Sequence, residues 1–322
     1  MDAAHELSGA HNSELIKLFP CTDAQFATET GVLRTAWQKV LPHLRAGAHA
    51  TDVTPRTTPD AASKDQTANL LTARWVANAA MFEAKALRHE GRHADAVRLS
   101  LDGATFAADT MRDGTLINQM IGAALLSIAI GETWSDTALG RLDAEALELL
   151  AHGLERVDAQ LPEVLDLTSE LLMTARALQD VSADAEWVPS AWRYGFSMRW
   201  MIGDAFLQYV AAAEEWLLAP KHAWPQRRAM LTAAGEEIAC SSNPFAAMVM
   251  PNLLAAEHGL REVLAKMRLL RIAVELHRGR DATPLRDPLG SGPLVVTRED
   301  GGVRITSAGS TEHRKVERFV AR

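Results

Sequence analysis

Two cysteines in 322 residues, Cys21 and Cys240, are too few for a disulfide framework, a four-cysteine metal site or a redox CxxC pair. At most they close one bridge. Basic side chains are outnumbered 33 to 41, a formal net charge of -8, which excludes a general nucleic-acid footprint because a phosphate-binding surface needs excess Lys and Arg. No run of about 18 apolar residues exists, so no intact transmembrane helix is expected. The nearest approach, Leu116 to Ile130, is too short and carries Asn118 and Gln119. The N-terminus lacks a cationic start followed by an apolar core, so no secretory signal is expected. A glycine-rich phosphate loop is missing as well. Gly290-Ser291-Gly292 sits among turn residues, without the strand-turn-helix setting of a nucleophile elbow.

What is present is ordinary globular material. Hydrophobic residues at 48% beside 23% charged exclude a largely disordered chain, and the length suffices for a large core. Helical periodicity runs to about residue 278. Thr28 to Leu44 carries an i, i+4, i+8 apolar stripe that Pro42 and then Gly47 are expected to break, and residues 48–65 read as a solvated loop. Gln66 to Arg88 and Ala94 to Met111 form two helices joined at Gly91. Thr115 to Trp134, apolar nearly all round, is expected at the centre of a bundle. Asp143 caps the following amphipathic helix, and Pro162 is expected to open the next. Pro225 starts another. Asn243-Pro244 starts the last, which runs to His277 with a bend at Pro251.

The period then changes. Leu294 to Arg298 and Val303 to Thr306 alternate as strands around a turn at residues 299–302. Val295 and Thr297 belong to one face of the first strand, and Leu294, Val296 and Arg298 to the other. The last long helix, with Leu269, Leu270 and Val274, is the surface to bury one face, because an isolated hairpin is marginal in water. The reading is an all-α fold, a helical hairpin or bundle array that is partly tetratricopeptide-like, with a small C-terminal β-hairpin. Residues 1–27 form an N-terminal segment, 28–280 the helical domain, 281–310 the docked hairpin appendix and 311–322 a flexible tail.

Chemistry is harder to find. His89-Glu90-Gly91-Arg92-His93 satisfies H-E-x-x-H, which on one continuous helix places two imidazoles for zinc and a glutamate as general base. Gly91 falls where the helix is expected to turn, however, and Arg92 adds a cation beside the presumed metal. Aromatic residues, only 6% of the chain, concentrate between Trp187 and Trp216, which holds both tyrosines and half of the eight tryptophans. Trp192, Arg193, Tyr194, Arg199 and Trp200 could line a groove where rings stack and a guanidinium holds an anionic or planar group. Interhelical packing is the competing use of these rings. Glu83, Glu170 and Asp204 lie on apolar faces and could form an acid/base pair, or simply a buried paired acid each.

One resemblance emerges from the last helix and hairpin. NPFAAMVMPNLLAAEHGLREVLAKMRLLRIAVELHRGR followed by LRDPLGSGPLVVTREDGGVRITSAG resembles an uncharacterised bacterial helical family of planctomycete and myxobacterial type. The residues that carry it are His277 to Arg280, Asp287 to Leu294 and Ser307 to Gly309, and the likeness spans roughly residues 70–310. The end of the chain is also similar to the C-terminal hairpin of type II secretion pseudopilins, in which acidic loop residues bind calcium. Here STEHRKVERF replaces the acidic loop, so no calcium site is implied. Relatives with a membrane anchor would place such a helical body at the cell envelope; the chain itself leaves the compartment open between cytoplasm and envelope. The resulting expectation is a non-catalytic scaffold or adaptor with a protein partner, no cofactor and no nucleic acid. The alternatives are a zinc-dependent hydrolase at His89, Glu90 and His93, or small-molecule binding at the aromatic segment.

Overall fold

The computed structural model describes residues 34, 37–50, 64–112, 115–131, 134–172, 196–218, 222–243, 246, 253–281, 283–309 and 315–321. Nine α-helices and three strands lie among them: α1 (Leu41–Ala48), α2 (Lys64–His89), α3 (His93–Met111), α4 (Leu116–Ile130), α5 (Asp136–Leu139), α6 (Ala144–Gln160), α7 (Phe196–Leu218), α8 (Trp224–Ala239), α9 (Leu253–His277), β1 (Val295–Glu299), β2 (Gly302–Thr306) and β3 (Glu317–Ala321). No helix among the described residues is long and apolar enough to cross a membrane.

Small residues decide the centre. α3 buries Ala96, Gly103, Ala104, Ala107 and Ala108, and it packs against α1, α2, α4 and α6. Four neighbours fit around one helix because these residues let the backbones approach closely. At Gly122 of α4 a Cβ would strike the Met111 side chain and stand 2.8 Å from the Ala107 carbonyl oxygen. α4 therefore lies directly on α3, with α2 and α9 at its flanks. Its fourth side stays open: Ile117 is 58% exposed and Met120 50%. The helix expected at the centre is thus a side wall, and α3 takes the central place.

Local signals set most boundaries. Asp143 accepts from the Ala146 N–H at 2.7 Å, Thr115 and Ser135 cap α4 and α5 in the same way, and Pro225 stands in the first turn of α8. Pro42 opens α1 instead of breaking a helix, since its missing N–H is one that a first turn leaves unpaired anyway. Pro162 does not open a helix. Residues 162–167 are irregular, and helix resumes only at Thr168, whose N–H bonds the Asp166 carboxylate at 2.9 Å. The irregular stretch holds because the buried Gln119 takes both backbone groups of Asp166, donating to its carbonyl at 2.5 Å and accepting from its N–H at 2.9 Å. The bend expected at Pro251 and the start at Asn243-Pro244 fall largely outside the described residues, as does the loop expected at 48–65 beyond its ends.

The appendix is larger than a hairpin. β1, β2 and β3 form one antiparallel sheet in that order, with Val303 opposite Arg298 on one side and Val320 on the other. The flexible tail expected at 311–322 is corrected over Glu317–Ala321, which is a strand. Alternation puts Val303, Ile305, Arg318 and Val320 on the face turned to the helices. Val303, Ile305 and Val320 are buried and join the same core as Leu269, Leu270 and Val274 of α9. The inward Arg318 donates to the Trp134 carbonyl, and burial pushes its guanidinium down to about 10 despite Asp136 nearby. On the outer face Arg304 pairs with Glu299 at 2.6 Å and covers the Phe319 ring.

Candidate functional site

The H-E-x-x-H segment lies across a turn. α2 ends at His89, α3 begins at His93, and Gly91 between them has φ +76°, the left-handed conformation that glycine adopts without cost. The two imidazoles therefore stand on separate helices. Arg34 takes the Glu90 carboxylate and also grips Glu83 at 2.7 and 2.8 Å. Its hydrogen bond holds the Glu90 carboxyl below the usual range. The His93 Nδ1 is buried with no hydrogen-bond partner. Among the described residues no three His, Cys, Asp or Glu side chains are placed to hold a metal ion.

The three carboxylates on apolar faces have separate structural duties. Glu83 serves Arg34. Glu170 accepts from the Leu116 N–H at 3.3 Å, at the start of α4. Asp204 accepts from the Asn243 and Gln208 amides, both at 2.8 Å. Gly290-Ser291-Gly292 belongs to a loop folded round the buried Asp287, and Cys240 is a free, exposed thiol.

Of the aromatic segment, Trp187, Trp192, Arg193 and Tyr194 lie outside the described residues, and Arg199 enters only through the backbone of α7. Tyr209 is interhelical packing: it is fully buried, its hydroxyl has no hydrogen-bond partner, and burial above all, then Glu170, pushes its pKa up. Trp200 points the other way, 65% exposed. Leu207, seven residues on, is 67% exposed, with the exposed Gly203 between them. An i, i+3, i+7 spacing keeps these three within a narrow stripe along α7. α4 repeats the pattern with Ile117, Met120 and the exposed Ala124. Both stripes escaped the sequence reading, although α4 carried a signal. A helix apolar all round has more apolar surface than three neighbours can cover.

Two open apolar stripes at helical spacing can receive a complementary helix or a flat apolar surface; they carry no group able to transfer a proton or hold a metal. The chain matches no known protein family, no curated protein and no solved structure.

Proposed function

We propose that the protein is a non-catalytic helical scaffold that binds a protein partner over the open apolar faces of α4 and α7, and that it belongs to the bacterial helical family its C-terminal segment resembles. One observation carries the reading: among the described residues, Trp200 and Leu207 on α7 and Ile117 and Met120 on α4 are large apolar side chains left half or more exposed in pairs on one helix face, and Leu172 is 58% exposed besides. Covering such a side chain is worth about 1.5–3 kcal/mol, and tryptophan is the residue type most often found at the energetic centre of an interface. The acidic chain favours a partner that is neutral or basic around its apolar centre. The carboxylates that might have done acid/base chemistry hold the chain to itself.

The test is a photo-crosslinking residue at position 120 or 207, introduced in the native cells, with position 266 on exposed α9 surface as control. A discrete adduct at 120 or 207, absent at 266 and abolished by Ile117→Asp or Trp200→Asp, supports the reading. An adduct of twice the chain mass replaces the foreign partner with a second copy, and no adduct above the control overturns the proposal.

A further inference from the structure

Beyond the last turn of α9 the sheet stands away from the helix and leaves a cleft of about 430 Å³. Val303 and Val320 belong to its floor but are buried, so the surface it offers a ligand is mostly polar. Three basic side chains share that surface: His277 from the last turn of α9, Arg280 just after it, and Arg298 from β1. Local structure holds the first two in place. Gly279, at φ +70°, closes the helix, its own N–H on the Leu276 carbonyl and the Arg280 N–H on the Glu275 carbonyl, both at 3.0 Å. Asp136 lies 2.8 Å from His277 Nε2 and accepts from the Ala321 N–H at 3.1 Å, which orients the ring. His277 Nδ1 has no partner among the described residues. The arginines are loosely matched. Arg298, 73% exposed at its side chain, meets Asp281 at 3.7 Å, and that carboxylate is itself wholly exposed. Arg280 reaches Glu148 at 3.5 Å and Glu275 at 3.8 Å, carboxylates that the buried Arg278 already holds. Exposed pairs of this length contribute little, so a better-placed anion displaces them.

We propose that this cleft binds a small, hydroxylated phosphate monoester, its phosphoryl oxygens shared by Arg280, Arg298 and His277. Guanidinium forks match phosphate oxygens, and hydrogen bonds between opposite charges are the strong ones. A phosphate suits the site better than a carboxylate, because three donor groups around one cleft call for three oxygens on one centre. The volume lies in the range of small-molecule sites, and the polar walls favour a hydroxylated body over an alkyl chain. Asp281, at the mouth, is the competitor that the phosphate displaces from Arg298. The site is independent of the partner-binding faces of α4 and α7, so either proposal can fail alone.

The experiment titrates the ¹⁵N-labelled full chain with glycerophosphate and inorganic phosphate, and with glycerol and acetate as controls. Saturable shifts are expected at the Gly279, Arg280 and Arg298 amides and at the His277 ring nitrogens. Glycerophosphate should bind at least threefold more tightly than inorganic phosphate, and at least tenfold more tightly than glycerol or acetate. Arg280→Gln with Arg298→Gln, both at exposed positions, should raise the glycerophosphate Kd about tenfold or more. Asp281→Asn should lower it about threefold by removing the competing carboxylate, which a purely structural Arg298–Asp281 pair would not do. Trp200→Asp leaves it unchanged. A phosphoserine peptide that binds more tightly than glycerophosphate replaces the small ester with a modified protein and overturns the proposal. So does the absence of saturable shifts, inorganic phosphate or acetate matching the ester, or an unchanged Kd in the double variant.

Discussion

Removing the Asp287 carboxylate should cost more stability than any single apolar truncation in the appendix. The side chain is wholly buried and accepts from the Leu289 N–H at 2.9 Å, from the Ser307 hydroxyl at 2.9 Å to each oxygen, and from the Ala308 N–H at 2.7 Å. Its own N–H bonds the Gly292 carbonyl at 2.9 Å. One residue thus joins the loop before β1 to the segment after β2. The fit leaves no room for change: a Cβ on Gly290 would stand 2.7 Å from the Asp287 carboxylate, and one on Gly309 would strike the Leu289 carbonyl. Asp287→Ala strands three donors, two of them backbone, where water does not replace the acceptor. Each costs about 1–3 kcal/mol, and since neighbouring losses do not add in full, the total is about 4 kcal/mol. Asp287→Asn keeps one oxygen for Leu289 and Ser307 but turns an amide donor towards the Ala308 N–H, for about 2 kcal/mol. Urea denaturation should therefore rank wild type above Asn and Asn above Ala, with Tm falling by about 6 °C in the alanine variant. Hydrogen exchange at the β1 and β2 amides should rise in step. An alanine variant within about 1 kcal/mol of wild type, with unchanged exchange, would refute the reasoning. The loop would then be held by Arg261 and Arg268, which donate to the Pro288 and Arg286 carbonyls.

Gly122→Ala drives a methyl group into the Ala107 carbonyl and Met111, so thermal melting should report a loss of about 1–3 kcal/mol; an unchanged Tm would mean that α4 slides on α3 freely. Burial raises the Asp102 carboxyl above its ordinary range against the pull of His49, Arg45 and Arg156, and its Oδ2 has no hydrogen bond. The charged form is the penalised one, so wild type should gain stability relative to Asp102→Asn as pH falls from above the raised folded pKa to the ordinary aspartate value; parallel stability curves for the two would contradict this. Ending the chain before Val316 removes β3 and uncovers Val303, and a lowered Tm with new binding of an apolar dye is expected, whereas an identical melt would make β3 a free edge.

Most of the fold was legible because its signals are local. The cap at Asp143, the turn at Gly91 and the alternation in β1 and β2 each act within a few residues, and each stands where the pattern put it. β3 was missed for a reason that can be named. Glu317, Arg318 and Phe319 put two charges into a five-residue strand, and a charged chain end reads as solvated. Arg318 is turned inward nevertheless, because the Trp134 carbonyl, 184 residues earlier, accepts from it. The same limit hid Gln119, whose partner Asp166 is 47 residues away, and so the irregular stretch after Pro162. Such pairs leave no periodic trace.

The open stripes follow from the same division of labour. α9 also carries many polar residues, but they are used: Arg268 joins Asp158 and Glu163, Arg271 joins Asp158, and His277 meets Asp136 at 2.8 Å, so that one helix is tied to α6, α5 and the loop after α6. α4 has no ionisable residue from Leu116 to Ile130. Its position therefore rests on apolar contact, on Gln119 and on the Glu170 carboxylate at its first turn, and nothing charged keeps its outer face wet. A surface side chain that serves neither the core nor solubility is costly to a free protein, since contiguous exposed apolar area promotes association. Ile117 and Met120, one turn apart on that face and matched by Trp200 and Leu207 on α7, are economical only if something covers them. The proposed partner surface accounts for an α4 that is apolar all round, whereas α3, at the true centre of the bundle, meets its neighbours through buried small residues such as Ala96, Gly103, Ala104, Ala107 and Ala108.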